Sequence, residues 1–347
     1  MKVAIDITPL KGDLNGHKVR GVGFYLEYLK RSLLKYYPDN TYHFFARGEK
    51  IPSVDLVHYP YFDPFFLTLP LLEKRTRVVT VHDLTPLVFP QHFPSGIKGN
   101  LRWQIQKLSL KNTTRIITDS QSSKEDVVQL LGEKSDKINV AYLAAAEEFT
   151  QIEKGVRVKA KYNLPEKFVL YVGDVTWNKN LPRLIKAIQE INLTLVMVGK
   201  ALVEKDFDKT NPWNKDLVEV NKLIENDKRF IRLGFLPTDD LVALYNSATV
   251  FAFPSIYEGF GLPVIEAMQC GCPVVTSKGG SLAEVAGEAS MSVDPEDISS
   301  IANGIGEVFF NRKLQDELSK KGLTQAKKFS WKKTAEDTIA SYKKALT

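Results

Sequence analysis

The stretch Phe251–Val275, FAFPSIYEGFGLPVIEAMQCGCPVV, reads as strand, loop, helix and second strand, and the fold turns on that reading. VFAFP and PVVTS are short apolar runs of the kind that fill a buried strand. Pro263 belongs in the first turn of a helix, because its missing N–H is not needed there, so the helix opens near Leu262. Gly271 is expected to close it. Cys270 and Cys272, the only two cysteines, then sit at its end as small buried residues, a spacing too short for C-x-x-C redox or zinc signatures. The loop before the helix lies at the carboxyl end of VFAFP, the edge where open α/β sheets bind ligands.

That loop carries Glu258, and the first turns of the helix carry Glu266. Gly259 and Gly261 let backbone approach a ligand closely, and the N–H groups from about Phe260 to Val264 are expected to point outward with the positive end of the helix dipole behind them. A phosphate or diphosphate suits this place. Carboxylates repel phosphate, so the glutamates need another partner, and sugar hydroxyls supply one: Glu266 for a ribose and Glu258 for a hexose, on either side of a diphosphate. The competing reading makes Glu258 a solvated loop residue and gives Glu266 only the helix-dipole gain of about 0.3–1 kcal/mol.

Outward from this unit, short β-branched runs alternate with amphipathic segments along the chain, which argues for parallel sheets covered by helices on both faces, an α/β protein. Strands are expected at KVAIDI, TYHFFA, DLVHY, RVVTVH, RIITDS and KINVAYL, then at FVLYVGD, TLVMVG, FIRLGF, VFAFP and PVVTS. Helices are expected over Val22–Tyr36, Ile97–Lys111 and Ser122–Leu131, the last with a Ser122/Glu125 capping box. Others start near Asn180, Thr238, Leu262, Ser281 and Asp294, where Asp294 would cap and Pro295 take the first helical position. The closing FSWKKTAEDTIASYKKAL is a further amphipathic helix capped by Ser330. At 347 residues the chain exceeds one core, and the pattern breaks in YLAAAEEFTQIEKGV. The expected division is 1–148, 149–329 and a terminal helix 330–347.

Composition removes several classes. The net charge of +6 is spread, with basic residues interleaved among acids, unlike a nucleic-acid binder. MKVAIDITPL reads as a first strand rather than a signal core, and no window approaches the roughly 18 apolar residues of a membrane span, so a cytoplasmic protein is expected. AIDITPLKGDLNG lacks G-x-G-x-x-G after the first strand, which argues against an NAD-dependent dehydrogenase.

PSIYEGFGLPVIEAMQCGCPVV resembles the E-x7-E signature of the retaining, nucleotide-sugar-dependent glycosyltransferases with the GT-B fold, group 1, in their mannosyltransferase-like branch. The resemblance extends to YVGDVTWNKNLPRLIKAI, GFLPTDDLVALYNSATVFAFPS, AIDITPL, GVGFYLEYLKRSLL, VVTVHDLTPLVFPQHF, RIITDSQSSKEDV and FSWKKTAEDTIASY, nearly the whole chain. It implies two Rossmann-like domains facing each other across a deep cleft, an N-terminal acceptor-side domain, a C-terminal donor domain, and a C-terminal helix crossing back to the first. By motif, Glu258 would sit beside the donor hexose, backbone at Gly259, Phe260, Gly261 and Leu262 would hold sugar and diphosphate, and Glu266 would bind the ribose. Lys179 would neutralise the leaving diphosphate; His82 would face the transferred sugar, and the Gly21 and Gly23 loop would approach the donor.

The chain departs from the pattern in one place. Asp174, counted among the donor-binding residues, follows the glycine of YVG where many relatives carry an arginine, and Asn178 replaces a residue that is often basic, which leaves Lys179 alone or assisted by Arg183.

The implied reaction moves a hexosyl group, with mannose from GDP-mannose as first choice, onto a hydroxyl of a glycan or lipid-linked acceptor with retention and without a metal or cofactor. A nucleotide-sugar epimerase and a non-catalytic sugar-binding protein share the architecture and stand as alternatives. The aromatic HYPYFDPFFLTLPLL, with Lys98, Arg102, Lys107, Lys111, Arg115 and Trp103, reads either as a docking surface for an anionic or lipid-linked acceptor at a membrane or as a core-facing run beside a solvated helix face.

Overall fold

The computed structural model describes residues 1–11, 21–152 and 156–347. The chain forms two compact units: Met1–Ala144 together with Phe329–Thr347, and Ala145–Lys328.

Unit 1 contains β1 (Lys2–Asp6), α1 (Gly21–Tyr36), β2 (Thr41–Phe45), β3 (Leu56–Tyr59), β4 (Thr76–Val81), α2 (Thr85–Val88), α3 (Gly96–Lys111), β5 (Arg115–Thr118), α4 (Gln121–Leu131) and β6 (Ile138–Val140). Its strands pair in parallel in the order β2-β1-β3-β4-β5-β6. All of β3 and most of β4 are buried, the pattern of a parallel sheet covered on both faces.

In unit 2 the elements are α5 (Val156–Lys161), β7 (Val169–Val172), α6 (Leu181–Ile191), β8 (Leu195–Val198), α7 (Lys215–Leu223), β9 (Phe230–Leu233), α8 (Thr238–Ser247), β10 (Val250–Phe253), α9 (Leu262–Gln269), β11 (Val274–Thr276), α10 (Leu282–Ala286), β12 (Met291–Ser292), α11 (Ile298–Phe310) and α12 (Arg312–Ala326). The parallel sheet runs β12-β11-β10-β7-β8-β9. Counted from its first strand, that is the doubly wound order 3-2-1-4-5-6, which reverses between β7 and β10.

The chain then returns to unit 1 as α13 (Trp331–Leu346). Ser330 caps it through Lys333 N–H at 3.2 Å, as its sequence leads one to expect. Trp331 stacks on Tyr28 at 5.3 Å between ring centroids, Thr334 Oγ1 donates to Tyr142 O at 2.6 Å, and the Tyr342 hydroxyl meets His58 Nδ1 at 2.7 Å. His58 Nε2 continues to Thr80 Oγ1 (2.8 Å), which reaches the Tyr25 hydroxyl (3.1 Å). Burial pushes the His58 pKa down to about 3, so this chain of hydrogen bonds is neutral.

Three helix starts differ from the sequence reading. Ser120, not Ser122, caps α4, its hydroxyl accepting Ser123 N–H at 3.0 Å; only Ser120 has the extended backbone a cap needs. Asp297 rather than Asp294 caps α11, and Asp294 instead accepts Glu296 N–H in a local turn (2.9 Å). Asn180 precedes α6 in a left-handed conformation with no side-chain cap, and its Oδ1 accepts the Arg183 guanidinium at 3.0 Å instead. Helices α7 and α12, whose segments interleave charged with apolar residues, were not expected at all. Gly271 does end α9: its N–H and that of Cys272 bond back to Met268 O and Ala267 O (3.0 and 2.9 Å), and both cysteines are buried and free.

Candidate active site

The loops after β7 and β10 leave the sheet of unit 2 on either side of the point where strand order reverses, the crevice in which doubly wound sheets bind nucleotides. Two asparagines fasten these loops together. Asn178 accepts Ile256 N–H through its carbonyl at 2.7 Å and donates its side-chain amide to Tyr257 O at 3.0 Å. Asn180 donates to Pro254 O and Pro295 O at 2.9 and 2.6 Å. Lys179 lies between the two and is thereby aimed across the crevice. Its Nζ meets both carboxylate oxygens of Glu258, at 2.9 and 2.7 Å, and rides over the Phe253 ring 5.1 Å from the centroid.

Glu258 is 6% exposed, so its charge is balanced mainly by this ammonium rather than by water. The loop that carries it is held from beneath by the segment after β11. Gly280 pairs with Glu258 in an isolated parallel bridge, and the Ser281 hydroxyl donates to Glu258 O and Phe260 O (3.0 and 2.7 Å). Gly280 has φ +61°, and a Cβ there would stand 2.4 Å from Glu258 O. Only glycine fits that approach.

Gly261 stands at the mouth of α9 with φ +96° and without a side-chain cap; a Cβ on it would meet Leu282 Cδ2 at 2.8 Å. The outward row of N–H groups is shorter than the sequence suggests, since Pro263 has none and Val264 N–H is spent on Gly261 O at 2.9 Å. Phe260 is buried. Glu266, one turn further into α9, accepts the Tyr245 hydroxyl of α8 at 3.0 Å. Burial raises its pKa to about 7, against the lowering effect of that hydrogen bond.

Asp174 Oδ1 accepts Val175 N–H at 2.9 Å and its carbonyl accepts the Tyr171 hydroxyl at 2.7 Å, so it shapes the turn after β7. Arg183, the expected helper of Lys179, donates to Asn180 Oδ1 at 3.0 Å. The structure therefore joins Lys179 with Glu258, gives Glu266 a separate partner, and puts Asp174, Asn178 and Arg183 in hydrogen bonds with neighbouring loop segments.

In unit 1, His82 follows β4 at the carboxyl edge of that sheet. Its Nδ1 is 2.6 Å from Asp119 Oδ2, its Nε2 is 3.2 Å from Pro60 O, and Tyr25 abuts the ring edge-on at 4.7 Å. An ionised Asp119 and the Pro60 carbonyl both accept, which suits an imidazolium. Burial lowers the pKa of His82, but the neighbouring Asp119 carboxylate outweighs it and the net shift is upward. Gly21 and Gly23 lie in the first turn of α1 rather than in a loop, Gly21 exposed and Gly23 buried; the residues just before them fall outside the described part.

Tyr245, Asn178, Gly280, Ser281 and Asp119 were not singled out from the sequence as supports of the site. The adjacent glycines of KGGS were the one visible signal among them.

Comparison with known proteins gives this geometry a class. Solved structures with both units in common include sucrose-phosphate synthase from Thermosynechococcus elongatus, with a TM-score of 0.78 at 19% identity over 99% of this chain and 98% of that one. HepE of Anabaena, crystallised with UDP and glucose, gives 0.73 at 17% identity over 99% of both chains. The fold is GT-B.

Residues 155–325 match the family described as glycosyl transferases group 1, and residues 7–145 match glycosyltransferase family 4. O-antigen chain mannosyltransferase B of Escherichia coli is 31% identical over 347 residues, 98% of this chain and 88% of the relative. The serotype-specific mannosyltransferase WbdA of the same species is 30% identical over 82% of this chain, which spans about a third (35%) of WbdA's length. This chain belongs to the group 1 glycosyltransferases.

Proposed function

We propose that the protein transfers mannose from GDP-mannose to a hydroxyl of a glycan or lipid-linked acceptor, with retention at the anomeric carbon. The observation that carries the reading is the Lys179–Glu258 pair at the strand-order reversal of unit 2. Mannose is favoured by the two E. coli relatives, both mannosyltransferases at about 30% identity.

On this reading the pair is the resting form of the donor seat. An arriving diphosphate takes Glu258's place as partner of Lys179, and the released carboxylate accepts hydroxyls of the hexose. Backbone at Gly259, Phe260, Gly261 and Leu262 lines the sugar and diphosphate, and Glu266 holds the ribose. As the bond from the anomeric carbon to the diphosphate oxygen breaks, negative charge grows on the diphosphate, and Lys179 with the start of α9 stabilises it. The acceptor oxygen bonds to the same face of that carbon and its proton passes to the departing diphosphate oxygen. His82 attends the transferred sugar from unit 1, with Gly21 and Gly23 on the donor approach. Asp174 supplies the turn and no charge to the diphosphate. The reading uses no metal or other cofactor, the nucleotide sugar being a substrate.

The protein also works at an anionic membrane surface. Ile97, Leu101 and Leu108 are 91%, 64% and 60% exposed and fall on one side of α3 at helical spacing, flanked by Lys98, Arg102, Lys107 and Lys111 with no acid on the helix. Among the described residues no helix is long and apolar enough to cross a membrane, so contact is peripheral.

Incubation with GDP-mannose, UDP-glucose and UDP-N-acetylglucosamine in the presence of EDTA, with mannosyl acceptors and NMR of the product linkage, tests all parts together. GDP-mannose should be consumed with formation of an α-linked product. Consumption of a UDP-sugar alone, a β-linkage, or loss of activity in EDTA would each refute its own part.

A further inference from the structure

The sheet of unit 1 has its own strand-order reversal. In β2-β1-β3-β4-β5-β6 the chain leaves β1 in one direction and β3 in the other, so a crevice opens between their carboxyl ends. A cavity of about 210 Å³ occupies it. Asp6 closes β1, Arg47 follows β2, and Pro60 and Tyr61 follow β3; Phe66 and Arg102 complete the wall. None of these belongs to the donor seat.

We propose that this cavity binds the acceptor, and that the acceptor is an anionic saccharide: a sugar bearing a phosphate. The inference rests on the glycosyltransferase reading. Tyr61 and Phe66 put aromatic side chains, a surface chemistry that suits the C–H face of a sugar, in the wall. Asp6 offers a hydroxyl acceptor: its Oδ1 takes the Thr8 N–H at 2.8 Å and the Thr8 hydroxyl, while Oδ2 has no hydrogen-bond partner among the described residues. Arg47 spends one guanidinium nitrogen on Leu67 O, and Arg102 lies over the Phe66 ring, 5.8 Å from its centroid. Neither forms a salt bridge among the described residues, so the cavity carries more positive than negative charge in the form best matched to phosphate oxygens. The wall also touches the chemistry of unit 1 directly, because Pro60 O is the partner of His82 Nε2 at 3.2 Å. At the rim, Phe66 and Leu67 are 47% and 43% exposed, which suits a phosphate that continues into a lipid chain.

The test is calorimetric titration of the full chain saturated with GDP, which occupies the donor seat, using mannose 1-phosphate, its dodecyl phosphodiester, methyl α-mannoside and inorganic phosphate as probes. Mannose 1-phosphate should bind at least about tenfold more tightly than methyl α-mannoside or inorganic phosphate. Arg102→Ala should remove most of that preference and leave GDP-mannose affinity at the wild-type value, and Asp6→Asn should weaken both sugars. A tighter dodecyl phosphodiester identifies a lipid-carried acceptor, and an equal one a free sugar phosphate; either supports the site. Equal binding of the charged and uncharged mannosides, inorganic phosphate binding as tightly as the sugar phosphate, or an Arg102→Ala variant with unchanged preference overturns it. Failure of wild-type protein to bind GDP-mannose would instead refute the choice of donor while leaving the cavity result legible.

Discussion

Lys179 and Glu258 satisfy each other in a nearly buried setting, so removing either one strands the other. Glu258→Gln keeps the shape and a hydrogen-bond acceptor but not the charge. Turnover should fall about 10²-fold or more, the usual scale for losing one electrostatic group at a reacting centre, with a smaller change in donor affinity. Steady-state kcat and KM for the donor separate the two effects; unchanged kcat would remove Glu258 from the mechanism.

Glu266 carries a different signature. Its pKa is about 7 in the folded chain against 4.5 for an unperturbed glutamate, so the folded state holds a proton that the unfolded state has already released between those values. Its contribution to stability is therefore fully present below about pH 4.5 and is lost as pH rises through about 7. Ribose hydroxyls need the ionised acceptor, so donor affinity should move the opposite way and tighten from pH 6 to pH 8. Titration of GDP-mannose across that range checks this, and Glu266→Gln should flatten both trends. A wild-type affinity that is flat with pH would contradict the ribose assignment. The two glutamates were legible because proline and glycine fix where the helix starts. Tyr245, which sets Glu266's surroundings, was not, since 21 residues of chain separate the pair and only the packing of α8 on α9 brings them together.

At the scale of elements, the loop before α9 depends on the segment after β11 pressing backbone against backbone. Gly280→Ala would place a methyl 2.4 Å from Glu258 O at a positive φ, a strain of about 1–3 kcal/mol. The variant should fold with a lowered urea midpoint and lose kcat in step with Glu258→Gln; full activity would show that the brace does not position the carboxylate. Helix α13 is tied in by the Tyr342–His58–Thr80–Tyr25 chain, whose last member abuts His82. Tyr342→Phe leaves His58 Nδ1 without that partner and should cost about 1–3 kcal/mol in equilibrium unfolding. On α3, replacing Ile97, Leu101 and Leu108 with serine should abolish sedimentation with vesicles containing anionic lipid without changing donor affinity; unaltered sedimentation would rule out that face. The apolar stripe escaped sequence reading because apolar residues at helical spacing usually mark the buried side, and here Gly99, Gln106, Ser109 and Leu110 are the buried ones.

Over the whole molecule, the alternation of strands and helices was readable from the chain, down to most strand limits. Strand order was not. Which strand lies beside which depends on pairings between segments tens of residues apart, such as β7 with β10 through Val250 and Val169, and only those pairings reveal where each sheet reverses. Both reversals coincide with polar side chains that sequence distance keeps apart: Lys179 and Glu258 in unit 2, Asp6 and Tyr61 in unit 1. On the proposed reading the first of these is the donor seat. A crystal structure with GDP-mannose bound measures it most directly: Lys179 Nζ should have left Glu258 for a diphosphate oxygen, with the Glu258 carboxylate on the mannose hydroxyls. A donor bound elsewhere, with the Lys179–Glu258 bridge intact, would contradict it.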